Sequence, residues 1–253
     1  MKTGHLLLGI SLALGVFVQP GLAKPADGGE SKTDQTSTKK KATTGKPANL
    51  PEPKVCWKKT WTFDSLEFLD YFDISCPKNI KVINNHLVLK MTEDCTNPGL
   101  TYKNAIHYGK ATAEMTMANG GGSVTSMVID FEFVGKDLTS VQSTYYVNGK
   151  PTKDTDKGPE RHHSPGGDDV NLSKTFETYT IDYSCDRVYF QVGGKTQRKA
   201  IKGEVDKYPA KALDWSIDIW NGGKEYFDWA GKTKWGEGER TAVIRKLEYA
   251  AYC

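Results

Sequence analysis

Ser123–Gly135, SVTSMVIDFEFVG, is the stretch from which the fold can be read. Met127, Ile129, Phe131 and Phe133 alternate with Val128, Asp130, Glu132 and Val134. Successive side chains of a β-strand point to opposite faces, so this period of two predicts one continuous strand. Its apolar face would lie on a core, and Asp130 and Glu132 would stand side by side on the other face. Their spacing along such a strand is about 6.6 Å, two rises of roughly 3.3 Å. Two neighbouring carboxylates are what general acid–base chemistry needs, although a half-buried strand with its polar side in water has the same pattern.

Working outward, the same alternation recurs. Trp57–Phe63, Ser140–Val147, Phe176–Tyr183, Arg187–Val192, Leu213–Trp220 and Val243–Tyr252 all read as strands, and IKVINNHLVLKM (80–91) reads as two strands around Asn84-Asn85. Asn104–Met117 continues the pattern, with a bend at Tyr108-Gly109-Lys110. Gly193-Gly194 and Asn148-Gly149 supply turns, and Thr152–Asp169 is a polar loop carrying His162-His163. No stretch sustains a period of 3.6 residues. An all-β sandwich is the expected architecture.

The start of the chain has another character. Lys2 precedes the apolar run Leu6–Val18, and Gly21-Leu22-Ala23 ends it with small residues, the layout of a secretory signal peptide cut after Ala23. Residues 24–54 are rich in Lys, Thr, Ser, Gly and Pro, with Leu50 as their only large aliphatic residue. They read as a disordered linker, because they cannot bury enough surface to offset the entropy of ordering. One folded domain then spans 55–253. No second apolar run is long enough for a membrane span, so the expected product is secreted, and a monomer.

Charge and motifs narrow the chemistry. A net charge of +3 without a basic stripe among aromatics argues against a nucleic-acid partner. Asn119–Gly122 is too short to cradle a phosphate, the histidines are scattered and no CxxC occurs, so neither a cofactor nor a metal site is expected. All five cysteines follow the leader, and export favours disulfides. Cys76–Cys95 across a hairpin and Cys56–Cys253 across the domain ends are the preferred pairs, and the odd count leaves at least one thiol over. Trp220 and Trp229 lie in WNGGKEYFDWAGKTKW, where aromatics among glycines suit stacking on sugar rings as well as they suit a core.

Together these residues resemble glycoside hydrolase family 16, specifically the fungal chitin–glucan cross-linking (Crh-type) transglycosylases. The matching pieces are Tyr108-Gly109-Lys110, Ala118-Asn119-Gly120, IDFEFVG, the Gln142 strand, FETYTIDY, Tyr208-Pro209, IWNGG and DWAG. The resemblance implies a β-jelly-roll sandwich with a substrate groove on its concave sheet. It implies a secreted cell-wall enzyme that cuts β-glucan or chitin and transfers the product to another sugar chain. The family's motif on this strand is Asp-Glu-Ile-Asp-x-Glu: nucleophile, supporting Asp and acid/base. By that match Glu132 is the acid/base and Asp130 the supporting carboxylate. Gln142, Tyr145, Trp220 and Trp229 would be substrate contacts.

Two departures stand out. Val128 occupies the nucleophile's position and Met127 that of the preceding Asp. Several residues that form a strand end and a turn in the family are also missing, as if two strands were fused into one. The alternative expectation is therefore a catalytically inactive, lectin-like or structural protein that binds the same wall polysaccharides.

Overall fold

The computed structural model describes residues 50–105, 107–127, 130–147, 150–151, 160–205, 208–209 and 214–253. The leader and nearly all of the expected linker, and Val128 itself, lie outside them. In chain order the strands are β1 (Val55–Trp61), β2 (Phe72–Ser75), β3 (Ile80–Ile83), β4 (His86–Met91), β5 (Gly99–Tyr102), β6 (Gly109–Met115), β7 (Ser123–Met127), β8 (Phe131–Val134) and β9 (Ser140–Ser143). They continue with β10 (Tyr146–Val147), β11 (Lys150–Pro151), β12 (Glu160–His163), β13 (Glu177–Tyr183), β14 (Arg187–Val192), β15 (Lys195–Ile201), β16 (Ser216–Asn221) and β17 (Arg240–Tyr252). A short helix, α1 (Phe227–Ala230), precedes the last strand.

Two antiparallel sheets make the sandwich. The first runs β15-β14-β13-β6-β17-β4-β3, with β1 also paired to the long strand β17. The second runs β12-β9-β8-β7-β16-β5-β2 and carries the candidate site. Alternate residues of both sheets meet in one buried cluster that includes Leu87, Leu89, Met115, Phe131, Phe133, Tyr179, Phe190, Ile217, Ile219 and Leu247. Phe131 and Phe133 tie the second sheet to the first: the Phe133 ring lies 4.6 Å from that of Tyr179, edge to face, and Phe131 lies 5.3 Å from Phe190. Edge-to-face pairs of this kind add to the burial of the rings themselves.

The expected single strand over Ser123–Gly135 is corrected. The chain reverses after Met127, and β7 and β8 pair with each other, Val124 opposite Val134, Thr125 opposite Phe133, Ser126 opposite Glu132 and Met127 opposite Phe131. Folding back lets the two runs satisfy each other's backbone groups while Met127, Phe131 and Phe133 all reach the inter-sheet core. Asp130 therefore sits at the turn before β8, and a strand spacing does not apply between it and Glu132.

Other expectations resolve similarly. Asn84 and Asn85 have positive φ (51° and 58°), the left-handed pair that a two-residue hairpin requires, and they join β3 to β4. Both disulfides form as expected, Cys56–Cys253 with Cα atoms 5.5 Å apart and Cys76–Cys95 at 6.1 Å, and Cys185 is free and exposed. The histidine pair expected in a polar loop instead belongs to the edge strand β12, which pairs with β9. His162 is buried there and its Nε2 lies 2.7 Å from the hydroxyl of Ser143. Contacts of the sandwich also reach back into the expected linker, because the buried guanidinium of Arg187 donates to the carbonyls of Leu50 and Pro51 and to the carboxylate of Glu52.

Candidate active site

Strand pairing fixes which side chains share the outer face of the second sheet. Across β9, β8, β7 and β16, Gln142 stands opposite Glu132, Glu132 opposite Ser126, and Ser126 opposite Asp218. Directly paired residues point to the same face, so these four form one polar row. The residues that alternate with them, Val141, Phe131, Met127, Ile217 and Ile219, face the core. Two positions further along the same strands, Trp220, Val124 and Val134 form a parallel row that packs with Ala230 and Trp229 as a small separate cluster.

Helix α1 brings Trp229 over this face. It is pinned where Gly122 N–H donates to the carbonyl of Ala230 (2.8 Å), and Gly222 N–H donates to that of Gly122 (2.9 Å). Gly222 has to be a glycine, since a Cβ there would lie 2.8 Å from Cβ of Ala230 and 3.0 Å from the Val124 side chain. The Trp220 and Trp229 rings then stack, with centroids 5.9 Å apart and planes inclined by 29°. Both indoles keep part of their surface in solvent. The Trp229 indole N–H donates to Oε1 of Gln142 at 3.1 Å, fastening the aromatic pair to the polar row.

Three carboxylates share the face. Asp130 and Glu132 are buried (8% and 6% exposed), and among the described residues no cation pairs with either of them or with Asp218. Asp218 is half-buried and accepts a hydrogen bond from the Ser126 hydroxyl at 2.6 Å. Burial raises all three pKa values, since a desolvated carboxylate favours its neutral form. Asp218 is pushed up to about 6, with the Ser126 hydrogen bond pulling the other way. Glu132 is pushed to about 7, by burial and then by Asp218. Asp130 rises well above its usual range, through burial and then the repulsion of both Glu132 and Asp218.

The sequence-predicted residues separate into two groups. Glu132, Gln142, Trp220 and Trp229 come together on one face, with Asp130 at the turn beside them. Tyr145 does not join them: it is 1% exposed inside the inter-sheet core, with the Arg198 guanidinium 5.3 Å from its ring. The immediately preceding Thr144 N–H donates to the Asp130 carbonyl, and this fixes the turn's backbone. Asp218 was absent from the sequence-derived set. Its alternation between Ile217 and Ile219 marked it as outward-facing, but nothing local placed it beside Ser126.

Residues 69–237 match the family model described as glycosyl hydrolases family 16. The chain belongs to this family. Within it, the chain is 30% identical over 173 residues to the probable glycosidase CRR1 of Saccharomyces cerevisiae, covering 60% of this chain and 39% of that protein. It is 30% identical over 174 residues to Crh-like protein 2 of Aspergillus fumigatus, covering 63% and 38% respectively. The chain thus spans about two-fifths of the length of these curated relatives. Among solved structures, a Crh5 transglycosylase in complex with NAG aligns with a TM-score of 0.66 at 24% identity, over 78% of this chain and 88% of that one. A Bacillus licheniformis β-glucanase aligns with a TM-score of 0.64 at 17% identity, over 78% and 99%. These glucanase-like sandwiches share the family 16 jelly-roll fold with this chain.

Proposed function

We propose that this family 16 chain is an exported fungal cell-wall glycosidase or transglycosylase acting on β-glucan or chitin, with Glu132 as its proton donor. The observation that carries the reading is the single row linking Trp229, Gln142 and Glu132: an aromatic platform, an amide and a protonatable carboxyl on one sheet face. A sugar ring stacked on Trp220 and Trp229 would have its hydroxyls within reach of Gln142 and its glycosidic oxygen toward Glu132. With a pKa near 7, Glu132 keeps its proton in weakly acidic surroundings, as a general acid must, and gives it to the leaving oxygen. Asp130, its carboxyl pushed well above the usual range by burial and by Glu132 and Asp218, orients and does not attack. Export rests on the leader-like Leu6–Val18 run and agrees with the two disulfides.

Val128 in place of the family's nucleophile favours a second reading, a wall-polysaccharide-binding protein without turnover. Incubating the purified protein with chitin oligomers and a fluorescent glucan acceptor separates the two. Shortened or labelled products, lost in Glu132→Gln, are expected. Binding without any product would establish the second reading in place of the first.

A further inference from the structure

We infer that Asn171 is a glycosylated residue, its side-chain amide carrying an oligosaccharide transferred from a lipid diphosphate during export. The inference rests on the export proposed above. It concerns a sugar that the protein bears and is independent of whether it cleaves one.

The sequence supplies a single acceptor. N-linked transfer takes place at Asn-x-Ser/Thr with x other than Pro, on surface loops of exported chains. Of the ten asparagines, Asn171 alone meets that spacing, in Asn171-Leu172-Ser173. Every other asparagine lacks a hydroxyl residue two positions on.

The fold decides whether such an acceptor has room for a glycan. Leu172 is fully buried and packs in the inter-sheet core. Its N–H donates to the Leu138 carbonyl at 2.7 Å, and its carbonyl accepts from the Met117 N–H at 3.0 Å. With Leu172 anchored, its neighbours stay at the surface: Asn171 and Ser173 are half-buried, and Asp168, Asp169, Lys174 and Thr175 around them are exposed. The Asn171 carbonyl closes the turn by accepting from the N–H groups of Lys174 (3.1 Å) and Thr175 (3.0 Å).

The two ends of the Asn171 amide are used differently. Oδ1 accepts from the Ser173 N–H at 3.0 Å and from the Ser173 hydroxyl at 2.7 Å. Nδ2 has no hydrogen-bond partner among the described residues. Asn79 is the contrast: its Nδ2 donates to the Lys90 carbonyl and to the Thr92 hydroxyl, and a substituent there would break bonds of the fold. At Asn171 the atom that takes the sugar is the one the fold leaves unused, while the oxygen keeps the turn closed.

The transfer balances. Nδ2 of Asn171 bonds to C1 of the terminal sugar as the C1–O bond to the lipid diphosphate breaks. The diphosphate leaves with that electron pair, and Nδ2 gives up one of its two protons to a base.

The test is mass spectrometry on the full chain, leader included, made in a secreting yeast. Trypsin releases residues 162–174 as one peptide. Protein from the medium is expected to give this peptide with an added N-acetylhexosamine and hexose mass. Peptide N-glycosidase F in heavy-oxygen water should remove that mass and leave one heavy oxygen at position 171. Ser173→Thr is expected to keep the added mass, and Ser173→Ala and Asn171→Gln to lose it. Secreted wild-type protein with a bare 162–174 peptide would overturn the modification and leave export standing. Added mass that survives Asn171→Gln would place the sugar on a hydroxyl and overturn it equally. A chain retained in the cell with residues 1–23 still attached would overturn export, and the modification with it.

Discussion

The indole N–H of Trp229 donates to Oε1 of Gln142 at 3.1 Å, and Gln142 stands directly opposite Glu132 across the β8–β9 ladder. One hydrogen bond therefore ties an aromatic platform borne by a four-residue helix to the acid on a central strand. Trp229→Phe keeps a ring but removes the donor, whereas Trp229→Ala removes both. Calorimetric titration with β-glucan oligomers should show Trp229→Ala about tenfold weaker than wild type, the worth of one lost stacking contact of roughly 1.4 kcal/mol, with Trp229→Phe in between. Equal affinities for all three proteins would remove Trp229 from the sugar site.

The three carboxylates leave a signature in stability. Asp218 has a folded-state pKa near 6, above the ordinary value of 3.8. A raised carboxyl pKa means the native state binds the proton more tightly, so the stability it confers is present below about pH 4 and is lost as pH rises through 6. The groups facing it are Glu132 and Asp130, both raised as well, and the Ser126 hydroxyl. His162 runs the other way: burial and Arg198 lower its pKa to about 4, so its penalty grows as pH falls below about 6.5. Comparing Asp218→Asn with wild type cancels His162. Urea melts should show the variant more stable by about 2 kcal/mol at pH 8, discounted for residual exposure, and by nearly nothing at pH 4. A constant difference across that range would contradict the raised pKa.

Much of this arrangement was legible in the sequence, and the rest was hidden for identifiable reasons. Asn84-Asn85 declared its turn because few residues accept positive φ, and Phe131 and Phe133 declared the core by alternation. The reversal at Met127 stayed hidden because Met127 pairs with Phe131, four residues on. An even separation preserves the period of two, so a tight hairpin and a straight strand give the same pattern of apolar and polar residues. Asp218 was hidden because its partner Ser126 is 92 positions away, and strand order is not written in local periodicity. Tyr145 was expected at the site by resemblance alone; alternation from outward-facing Gln142 puts it, three residues on, on the same side as Val141, which is the buried core where the structure has it. His162 was misjudged because an edge strand rich in polar residues reads as a loop until its partner is known.

The two disulfides should differ in worth. Cys56–Cys253 closes a span of 197 residues, Cys76–Cys95 a span of 19. On the chain-entropy account the longer closure restrains the unfolded chain by about 5 kcal/mol and the shorter by about 3. Cys253→Ser is therefore expected to shift the denaturation midpoint further than Cys95→Ser, measured under non-reducing conditions. The reverse order would mean that β17, already held by β1 and β6, keeps the chain ends together in the unfolded ensemble.

Arg187 offers the last test. Its side chain is 1% exposed, and its guanidinium is met by the carbonyls of Leu50 and Pro51, by Glu52 and, at 3.8 Å, by Asp182. Glu52 is itself largely in water, so the ion pair alone is worth little, and the two carbonyls are the partners that matter. A protein beginning at Val55 leaves this buried charge with Asp182 as its remaining partner from the group, and such losses cost on the order of 2–4 kcal/mol. Starting at Leu50 should therefore give a midpoint well above that of a protein starting at Val55. Replacing Arg187 by Met in the shorter protein removes the stranded charge and should recover part of the difference. If both lengths unfold together, the segment Leu50–Lys54 adds nothing to the domain, and the boundary belongs at Val55 as the composition of the chain suggested.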